Sequence, residues 1–417
     1  MAAAGGRADA EGASPTRRGA APLAGGGGAP GRAGLTGLDR RPVEVVLRAG
    51  RVAPVSRGAA GAAKSGAPGG DGRTAQAVAS PGGAGRDAGA APRLLVLRAL
   101  GLGDLLAAVP ALRALRRGFP GYEIVLAAPG GLTPLALATG AVDRVLPAAA
   151  PGRAVPAALD WTGPPPDVAV DLHGNGPPSH LLLAGLRPGR LFAFAHPDTP
   201  GIDGPPWYAD EHERDRWCRL LRWYGLDADP ADLRLPPPAL PSPAPGAVVL
   251  HPGAGSPARC WPVDRFAAVA GALRARGRHV VVTGGADEAD LVAGLAKEAG
   301  LPDADVFGGG LPLDRLSALV AGARAVVSGD TGIAHLAVAH ATPSVTLCGP
   351  VPPGRWGPPP GDPRHRALWH GPEGDPHGRR PDPALLKITA DEVLDALDAL
   401  PEPSNRPEGT SPWNAHR

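Results

Sequence analysis

The chain has 417 residues, and its 42 Lys and Arg are nearly balanced by 40 Asp and Glu, which gives a net charge of +2. This balance argues against a nucleic-acid partner, because such proteins carry a marked positive excess. The three cysteines, Cys218, Cys260 and Cys348, are too widely spaced to predict a disulfide framework or a zinc site. The length is typical of two or three domains.

The first 92 residues are rich in Gly, Ala, Pro, Arg and Ser, and this composition predicts a disordered extension. Only a short run at 43–50 could form a strand. The chain start lacks the apolar core of a secretory signal. The apolar stretch at 94–115 is interrupted by charges and Pro110, whereas a membrane span needs about 20 nearly uncharged residues. We therefore expect a cytoplasmic protein whose membrane contact is at most peripheral.

From Arg93 onward, short apolar runs alternate with helical patterns. Before a Pro-rich linker at 235–246, strands are predicted at 93–98, 122–128, 142–147, 166–174 and 190–195, and helices at 104–118, 131–140 and 210–225. After the linker, strands are predicted at 247–253, 279–285, 304–309, 325–330 and 344–350, and helices at 262–277, 286–300, 313–323, 331–340 and 389–400. This alternation predicts an α/β protein with two Rossmann-like, doubly wound parallel-sheet domains facing across a cleft.

The same patterns predict the domain boundaries. They are an extension at 1–92, an N-terminal domain at 93–234, a linker at 235–246, a C-terminal domain at 247–388, a helix at 389–400 and a disordered tail at 401–417. The helix at 389–400 could pack back on the N-terminal domain.

The stretch LLVLRALGLGDLLAAVP at 94–110 runs from a strand pattern into a glycine turn. A dinucleotide site would need a third glycine where Leu106 stands, an acid after the second strand, and no carboxylate beside the pyrophosphate. Asp104 violates the last condition. Two interpretations of Asp104 stay open: a cap at the helix start, or a general base facing a substrate hydroxyl.

A second strand-to-helix turn, SGDTGIAHLA at 328–337, predicts an anion site. The free amides at 331–333 would point at a phosphate. Thr331 adds a hydroxyl, Gly332 permits close approach, and Asp330 could accept hydrogen bonds from sugar hydroxyls. The alternative is an ordinary Asp cap with a core-facing His335.

The loop LHPGAGSPARCWP at 250–262 follows the first strand of the second half, where a phosphate loop is expected. Gly253 gives the backbone the conformational freedom that such a loop needs, and the Ser256 hydroxyl can donate a hydrogen bond to a phosphate. Arg259 supplies a positive charge that binds phosphate in a bidentate manner.

Weaker candidates lie at other strand ends. Gly349 and Pro350 could wall a nucleoside or form a purely structural turn. The turn glycine Gly103, together with His173 and Asn175, could contact an acceptor sugar, although a lone histidine is commonly structural. No histidine pair has metal-ligand spacing, so we predict no metal.

Four stretches, GLGDLLAAVPALRAL, HPGAGSPARCWPVDRFAAV, GDTGIAHLA and CGPVPPGRWGP, occur in this order within 93–400. Together they resemble glycosyltransferase family 9, the heptosyltransferase-like enzymes of lipopolysaccharide assembly. The resemblance implies the GT-B fold, with the donor bound by the second domain and the acceptor by the first.

By this resemblance Asp104 matches the catalytic base, and Asp330, Thr331 and Gly332 match the motif that holds the donor sugar and its phosphates. Arg259 stands where the family usually has lysine, which keeps the charge but changes the geometry.

The implied activity is an inverting, metal-independent transfer of a sugar, heptose by resemblance, from a nucleoside-diphosphate donor to a glycan or glycolipid hydroxyl. The donor is expected to be ADP-linked, no cofactor is implied, and a monomer is expected. Two alternatives stay open: a nucleotide-sugar epimerase of similar fold and a non-catalytic nucleotide-sugar-binding protein.

Overall fold

The computed structural model describes residues 91–402, which fall within one compact unit. The predicted extension up to residue 90, the strand predicted at 43–50 and the predicted tail from residue 403 lie outside the described residues. Across residues 91–402, no helix is both long enough and apolar enough to cross a membrane.

The first half forms a five-stranded parallel sheet, as the sequence predicts. Its strands are β1 Arg93–Leu97, β2 Glu123–Ala128, β3 Arg144–Pro147, β4 Val168–Asp171 and β5 Arg190–Phe192. The strand order is β3-β2-β1-β4-β5. Every residue of β4 and all but the first of β1 are buried, which explains their continuous apolar sequences, because helices cover both faces of such a sheet.

Five α-helices accompany this sheet: α1 Leu102–Ala107, α2 Val109–Gly118, α3 Thr133–Ala138, α4 Pro177–Gly185 and α5 Glu213–Trp223. The sequence predicted one helix at 104–118, but the helix breaks at Ala108. Pro110 lacks the N–H that would bond to the carbonyl of Leu106, and this loss accounts for the break. Helix α4 was not predicted.

The second half forms a six-stranded parallel sheet of order β11-β10-β9-β6-β7-β8. Its strands are β6 Val248–His251, β7 Val280–Thr283, β8 Val306–Phe307, β9 Ala325–Gly329, β10 Ser344–Leu347 and β11 His365–Leu368. The helices are α6 Val263–Ala275, α7 Ala289–Ala299, α8 Leu313–Ala321, α9 Gly332–Ala339, α10 Pro353–Trp356 and α11 Ala390–Asp398.

The last helix, α11, begins after Thr389, whose hydroxyl accepts a hydrogen bond from the Glu392 N–H. Val393 and Leu394 are buried in the same apolar cluster as Phe266 of α6, and the helix packs on α6 and β10. This finding corrects the expectation that the helix packs back on the N-terminal domain. Its apolar stripe completes the core of the second sheet instead.

Both sheets reverse their strand order at one point, between β1 and β4 in the first and between β6 and β9 in the second. Ligands of doubly wound sheets bind beyond the carboxyl ends of the strands at this point. The turns and helix starts that follow these four strands contain Asp104, His173, Arg259 and Asp330. The topology therefore places the predicted site residues at the two positions where ligands are expected.

Candidate active site

The helix that carries Asp104 touches the helix that starts the predicted donor site. A Cβ added to Gly103 would lie 2.9 Å from Cδ2 of His335 and 3.6 Å from Cα of Gly332. A Cβ added to Gly332 would lie 2.9 Å from Cβ of Leu102. These two glycines allow α1 and α9, which belong to different sheets, to meet in van der Waals contact. Gly103, predicted on the acceptor side, and Gly332, predicted on the donor side, are thus neighbours.

Asp104 is 3% exposed and lies in the first turn of α1. Its Oδ2 accepts a hydrogen bond from the Gly101 N–H at 3.1 Å, so the carboxylate does stabilise the helix start. The same carboxylate accepts hydrogen bonds from Nη2 of Arg153 at 2.7 and 2.8 Å. Nη2 of Arg98 lies 3.5 Å from its Oδ1. The cap interpretation and the functional interpretation are therefore compatible in one side chain.

Arg98, which was not predicted as a site residue, hydrogen-bonds the start of α1. It is 1% exposed and donates to the carbonyls of Asp104 and Leu172 and to the carboxylate of Glu213. Although burial opposes ionisation of Glu213, Arg98 and Arg216 hold its pKa below the usual range. Arg98 thus ties the ends of β1 and β4 to the start of α5, across as many as 115 residues of sequence.

His173 lies in the same electrostatic cluster, in the turn after β4. Burial, reinforced by the charge of Arg98, lowers the pKa of His173 to about 4, so its imidazole is neutral at pH 7. The His173 N–H donates to Oδ1 of Asp171 at 2.9 Å. Asp171 is fully buried, and burial raises its pKa to about 6. This turn brings a neutral histidine toward the charged group formed by Asp104 and Arg153.

On the other sheet, Arg259 joins the loop after β6 to the turn after β9. Its Nη1 donates to the carbonyl of Asp330 at 3.2 Å, and its buried Nε has no hydrogen-bond partner among residues 91–402. Ser256 caps the short 3-10 helix Pro257–Arg259 by accepting from the Ala258 N–H at 3.2 Å. The structure thus brings Arg259 and Asp330 together and leaves Arg259 with unused donor capacity.

The α9 start supplies further polar groups. Thr331 is the N-cap residue of α9, and its side chain makes no capping hydrogen bond. Nε2 of His335 lies 3.9 Å from Oδ1 of Asp330. The ring centroids of His335 and Trp356 are 5.9 Å apart. Burial lowers the pKa of His335, while the charge of Asp330 opposes this shift. One interpretation of the sequence made His335 a core residue. In the structure it lies at the contact between α1 and α9.

Glu288, which sequence reasoning missed, covers Gly253. A Cβ on Gly253 would lie 2.0 Å from the carboxyl carbon of Glu288. The Glu288 carboxylate accepts from the Gly285 N–H at 2.7 Å and lies 3.7 Å from Nε2 of His251. Gly253 therefore leaves room for the Glu288 carboxylate. A carboxylate at this position suits the binding of sugar hydroxyls better than that of phosphate. No local sequence pattern indicates this contact, which joins residues 253 and 288.

The turn at Gly349 and Pro350 contacts the C-terminal segment. A Cβ on Gly349 would lie 3.1 Å from Cβ of Leu385, and its carbonyl accepts from Nε1 of Trp369 at 3.0 Å. The Pro350 carbonyl accepts from the Gly374 N–H at 2.9 Å. These contacts account for the glycine structurally, and a nucleoside contact stays a prediction. Asn175 lies in the loop after β4 and lines a pocket there.

Within the described part of the chain, no three His, Cys, Asp or Glu side chains are grouped so that they could hold a metal ion. The site consists instead of carboxylates, arginines and free helix amides. Two doubly wound domains that present such groups at their switch points have the architecture of the GT-B fold.

Comparisons with known proteins agree with this class. The sequence profile of Glycosyltransferase family 9 (heptosyltransferase) matches residues 235–384. Lipopolysaccharide heptosyltransferase 3 of Escherichia coli is 36% identical over 104 residues, which cover 24% of this chain and 31% of that protein. Lipopolysaccharide heptosyltransferase 1 of Salmonella typhimurium is 26% identical over 288 residues, which cover 63% of this chain and 90% of that protein.

Among solved structures, the E. coli ADP-heptose lipopolysaccharide heptosyltransferase II aligns with a TM-score of 0.58 at 21% identity, covering 74% of this chain and 98% of that one. This likeness confirms the predicted GT-B fold. Residues 235–384 thus match the model of this family, and the relatives aligned with the chain are lipopolysaccharide heptosyltransferases.

Proposed function

We propose that this glycosyltransferase moves a heptose from an ADP-linked donor to a hydroxyl of a lipopolysaccharide core glycan, with inversion and without a metal ion. One observation carries the proposal: the helix start bearing Asp104 meets the helix start bearing Thr331 and Gly332. This contact supports the proposal, because a transfer between two substrates requires the base and the anion site to lie close together.

The donor assignment rests on the groups around Arg259. Its half-buried guanidinium, whose Nε has no hydrogen-bond partner among residues 91–402, and the free N–H groups at the start of α9 suit a diphosphate. Two carboxylates of the same domain suit sugar hydroxyls: that of Asp330, beside His335, and that of Glu288, against Gly253 of the loop that carries Arg259. ADP-heptose is named as the donor of the E. coli structure that this fold resembles.

The reaction begins with Asp104 as the general base. Asp104 takes the proton of the acceptor hydroxyl, and the oxygen attacks the anomeric carbon from the face opposite the diphosphate. The bond from that carbon to the diphosphate oxygen breaks, and ADP leaves with its charge stabilised by Arg259 and the α9 amides. The anomeric configuration inverts. Because Arg153 occupies both oxygens of Asp104, the acceptor hydroxyl must displace it from one of them.

The acceptor assignment is supported by the first sheet and by the relatives. The lipopolysaccharide heptosyltransferases of E. coli and S. typhimurium carry the acceptor in their names. His173 and Asn175 lie in the loop after β4, on the carboxyl edge of the sheet that positions Asp104. A neutral imidazole and an amide can both donate to and accept from sugar hydroxyls.

The test is incubation with ADP-heptose and a deacylated lipopolysaccharide core oligosaccharide in the presence of EDTA. We expect ADP release and a product heavier by one heptose, with inverted anomeric configuration by NMR. Conversion of the donor sugar without acceptor would establish the epimerase alternative. Donor binding by calorimetry without turnover on any acceptor would establish a non-catalytic binder. Activity that disappears with EDTA and returns with a divalent ion would overturn the metal-independent mechanism.

A further inference from the structure

A pocket of about 870 Å³ opens beside the loop after β4, next to the proposed acceptor position. Asn175 belongs both to this loop and to the pocket wall, so the two are continuous. The rest of the wall comes from residues 195–207, which follow β5, and from Trp223 at the end of α5. The volume lies within the range of small-ligand sites, about 300–1,000 Å³.

Two tryptophans line this pocket. Trp223 is 59% exposed although it is a large aromatic residue. Trp207 is held in place by Phe194, with ring centroids 5.1 Å apart, and by the guanidinium of Arg216, which lies 4.1 Å from its ring. One tryptophan is thus rigidly supported, whereas the other presents most of its surface to solvent.

The polar side chains of the pocket wall have spare hydrogen-bonding capacity. Among the described residues, the side chains of Asn175 and Asp203 have no hydrogen-bond partner, and His196 uses only Nδ1, which accepts from the Asp198 N–H at 3.1 Å. The wall contains no Lys or Arg and includes the acidic Asp203. This lining disfavours a phosphate, because no cation faces it, and it disfavours a purely apolar chain, because three polar groups would be buried unpaired.

The combination of aromatic surface and free polar groups suits an uncharged sugar ring, whose C–H face stacks on aromatic rings while its rim hydroxyls pair with amides and carboxylates. We propose that this pocket binds a neutral sugar of the acceptor glycan, next to the sugar that receives the transferred residue. Trp223 is the stacking platform, and Asn175 and Asp203 bind the hydroxyls. This inference rests on the proposed transfer activity for its kinetic consequences but not for the binding itself.

The experiment compares Trp223→Ala with wild type, using a deacylated heptose-containing core oligosaccharide as the probe. Leu181→Ala is the matched control, because Leu181 is 60% exposed on α4 and does not line the pocket. Trp223→Ala is expected to raise the KM for the oligosaccharide about tenfold, with kcat and the KM for ADP-heptose unchanged. Leu181→Ala is expected to change none of them. Unfolding temperatures of both variants establish that they are folded.

A binding measurement separates this proposal from the transfer activity. In protein labelled with 5-fluorotryptophan, the ¹⁹F resonance of Trp223, assigned by its loss in Trp223→Phe, should shift on addition of the oligosaccharide without donor. If wild type transfers sugar but Trp223→Ala has the same KM and the resonance does not shift, the pocket proposal is wrong and the activity stands. If wild type transfers nothing, the resonance alone decides: a shift supports the pocket, and its absence overturns it.

Discussion

One guanidinium nitrogen of Arg153 donates to both carboxylate oxygens of Asp104, at 2.7 and 2.8 Å. The two side chains differ greatly in exposure, 54% for Arg153 and 4% for Asp104. The backbone of Arg153 has a φ of 62°, in the left-handed region. The group that we assign as the base is therefore covered by an exposed cation that a substrate can replace.

Asp104→Asn is expected to lower the transfer rate by about 10²- to 10⁴-fold, because the amide cannot take the proton of the acceptor hydroxyl. Affinity for ADP should stay within about twofold, since the diphosphate contacts lie on the other sheet. Transfer rates by product mass and ADP affinity by calorimetry check both expectations. Asp198→Asn, at a side chain that is 77% exposed, is the control. Undiminished transfer by Asp104→Asn would refute the assignment of the base.

Arg153→Gly should be more stable than Arg153→Ala by about 1 kcal/mol, because glycine adopts the left-handed backbone without the steric cost paid by alanine. Both variants lose the same ion pair, which contributes little because Arg153 is largely exposed. Urea unfolding of the two variants provides the comparison. Equal stabilities would show that residue 153 does not hold the left-handed conformation in solution.

Arg98→Met is expected to destabilise the fold by about 3–5 kcal/mol, because it removes one of the two arginines paired with the buried Glu213 and leaves the carbonyls of Asp104 and Leu172 without their donor. Arg276→Met removes an exposed pair with Asp398 and should cost less than about 1 kcal/mol. The difference in the free energy of unfolding between these variants is the measurement. Similar small costs for both would contradict the role of Arg98 as the buried link between β1, β4 and α5.

Gly332→Ala is expected to reduce transfer, since its Cβ would lie 2.9 Å from Cβ of Leu102 and would push α9 away from α1. Gly294→Ala, in the middle of α7 with no atom within 4 Å of the added Cβ, should keep activity and stabilise the helix by up to about 1 kcal/mol. The measurement is the steady-state transfer rate of both variants relative to wild type. Full activity in Gly332→Ala would show that close contact of these helices is not needed.

Acid should destabilise the protein between pH 6.5 and pH 4. Burial is the main cause that lowers the pKa to about 4 in five histidines, which are His173, His180, His212, His340 and His365. In this pH window the unfolded chain binds more protons than the folded one, so stability rises with pH. Asp171 acts in the opposite direction, because its raised pKa of about 6 makes the folded state bind more protons.

Unfolding free energies measured at several pH values test this balance. His340→Gln should lower the slope of the unfolding free energy against pH by up to about 1.4 kcal/mol per pH unit, because one titrating histidine is removed. Glutamine can still pair with the Ser317 hydroxyl that His340 contacts at 2.7 Å. A slope unchanged by this substitution, or stability that rises toward pH 4, would contradict the assignment.

The sequence was sufficient to predict strands such as β1, β6 and β9, because their continuous apolar runs are typical of strands buried on both faces. It failed for α4, which starts with two prolines and lacks an amphipathic period. It also failed for β11, an edge strand that contains an exposed arginine. Local pattern therefore determines the central strands, whereas the edge of a sheet depends on partners distant in sequence.

The same distinction holds at the site. Asp104, Arg259 and Asp330 could be found because each follows a recognisable strand-to-helix turn. Glu288 and Arg98 could not, because their roles depend on contacts with residues far away in the chain, such as Gly253 and Glu213. Burial and ion pairing of this kind follow from tertiary packing, and no spacing in the sequence encodes them.

The glycine contact between α1 and α9 also bears on how an activated sugar survives in water. With the two helices apart, a donor held by Arg259 would have no carboxylate from the first sheet beside its anomeric carbon, so a stray water molecule would lack a proton acceptor there. In the structure the helices are in contact, and Arg153 hydrogen-bonds both oxygens of Asp104, the carboxylate that we assign as the base. We therefore expect hydrolysis of the donor to be slow when no acceptor sugar is present to displace Arg153.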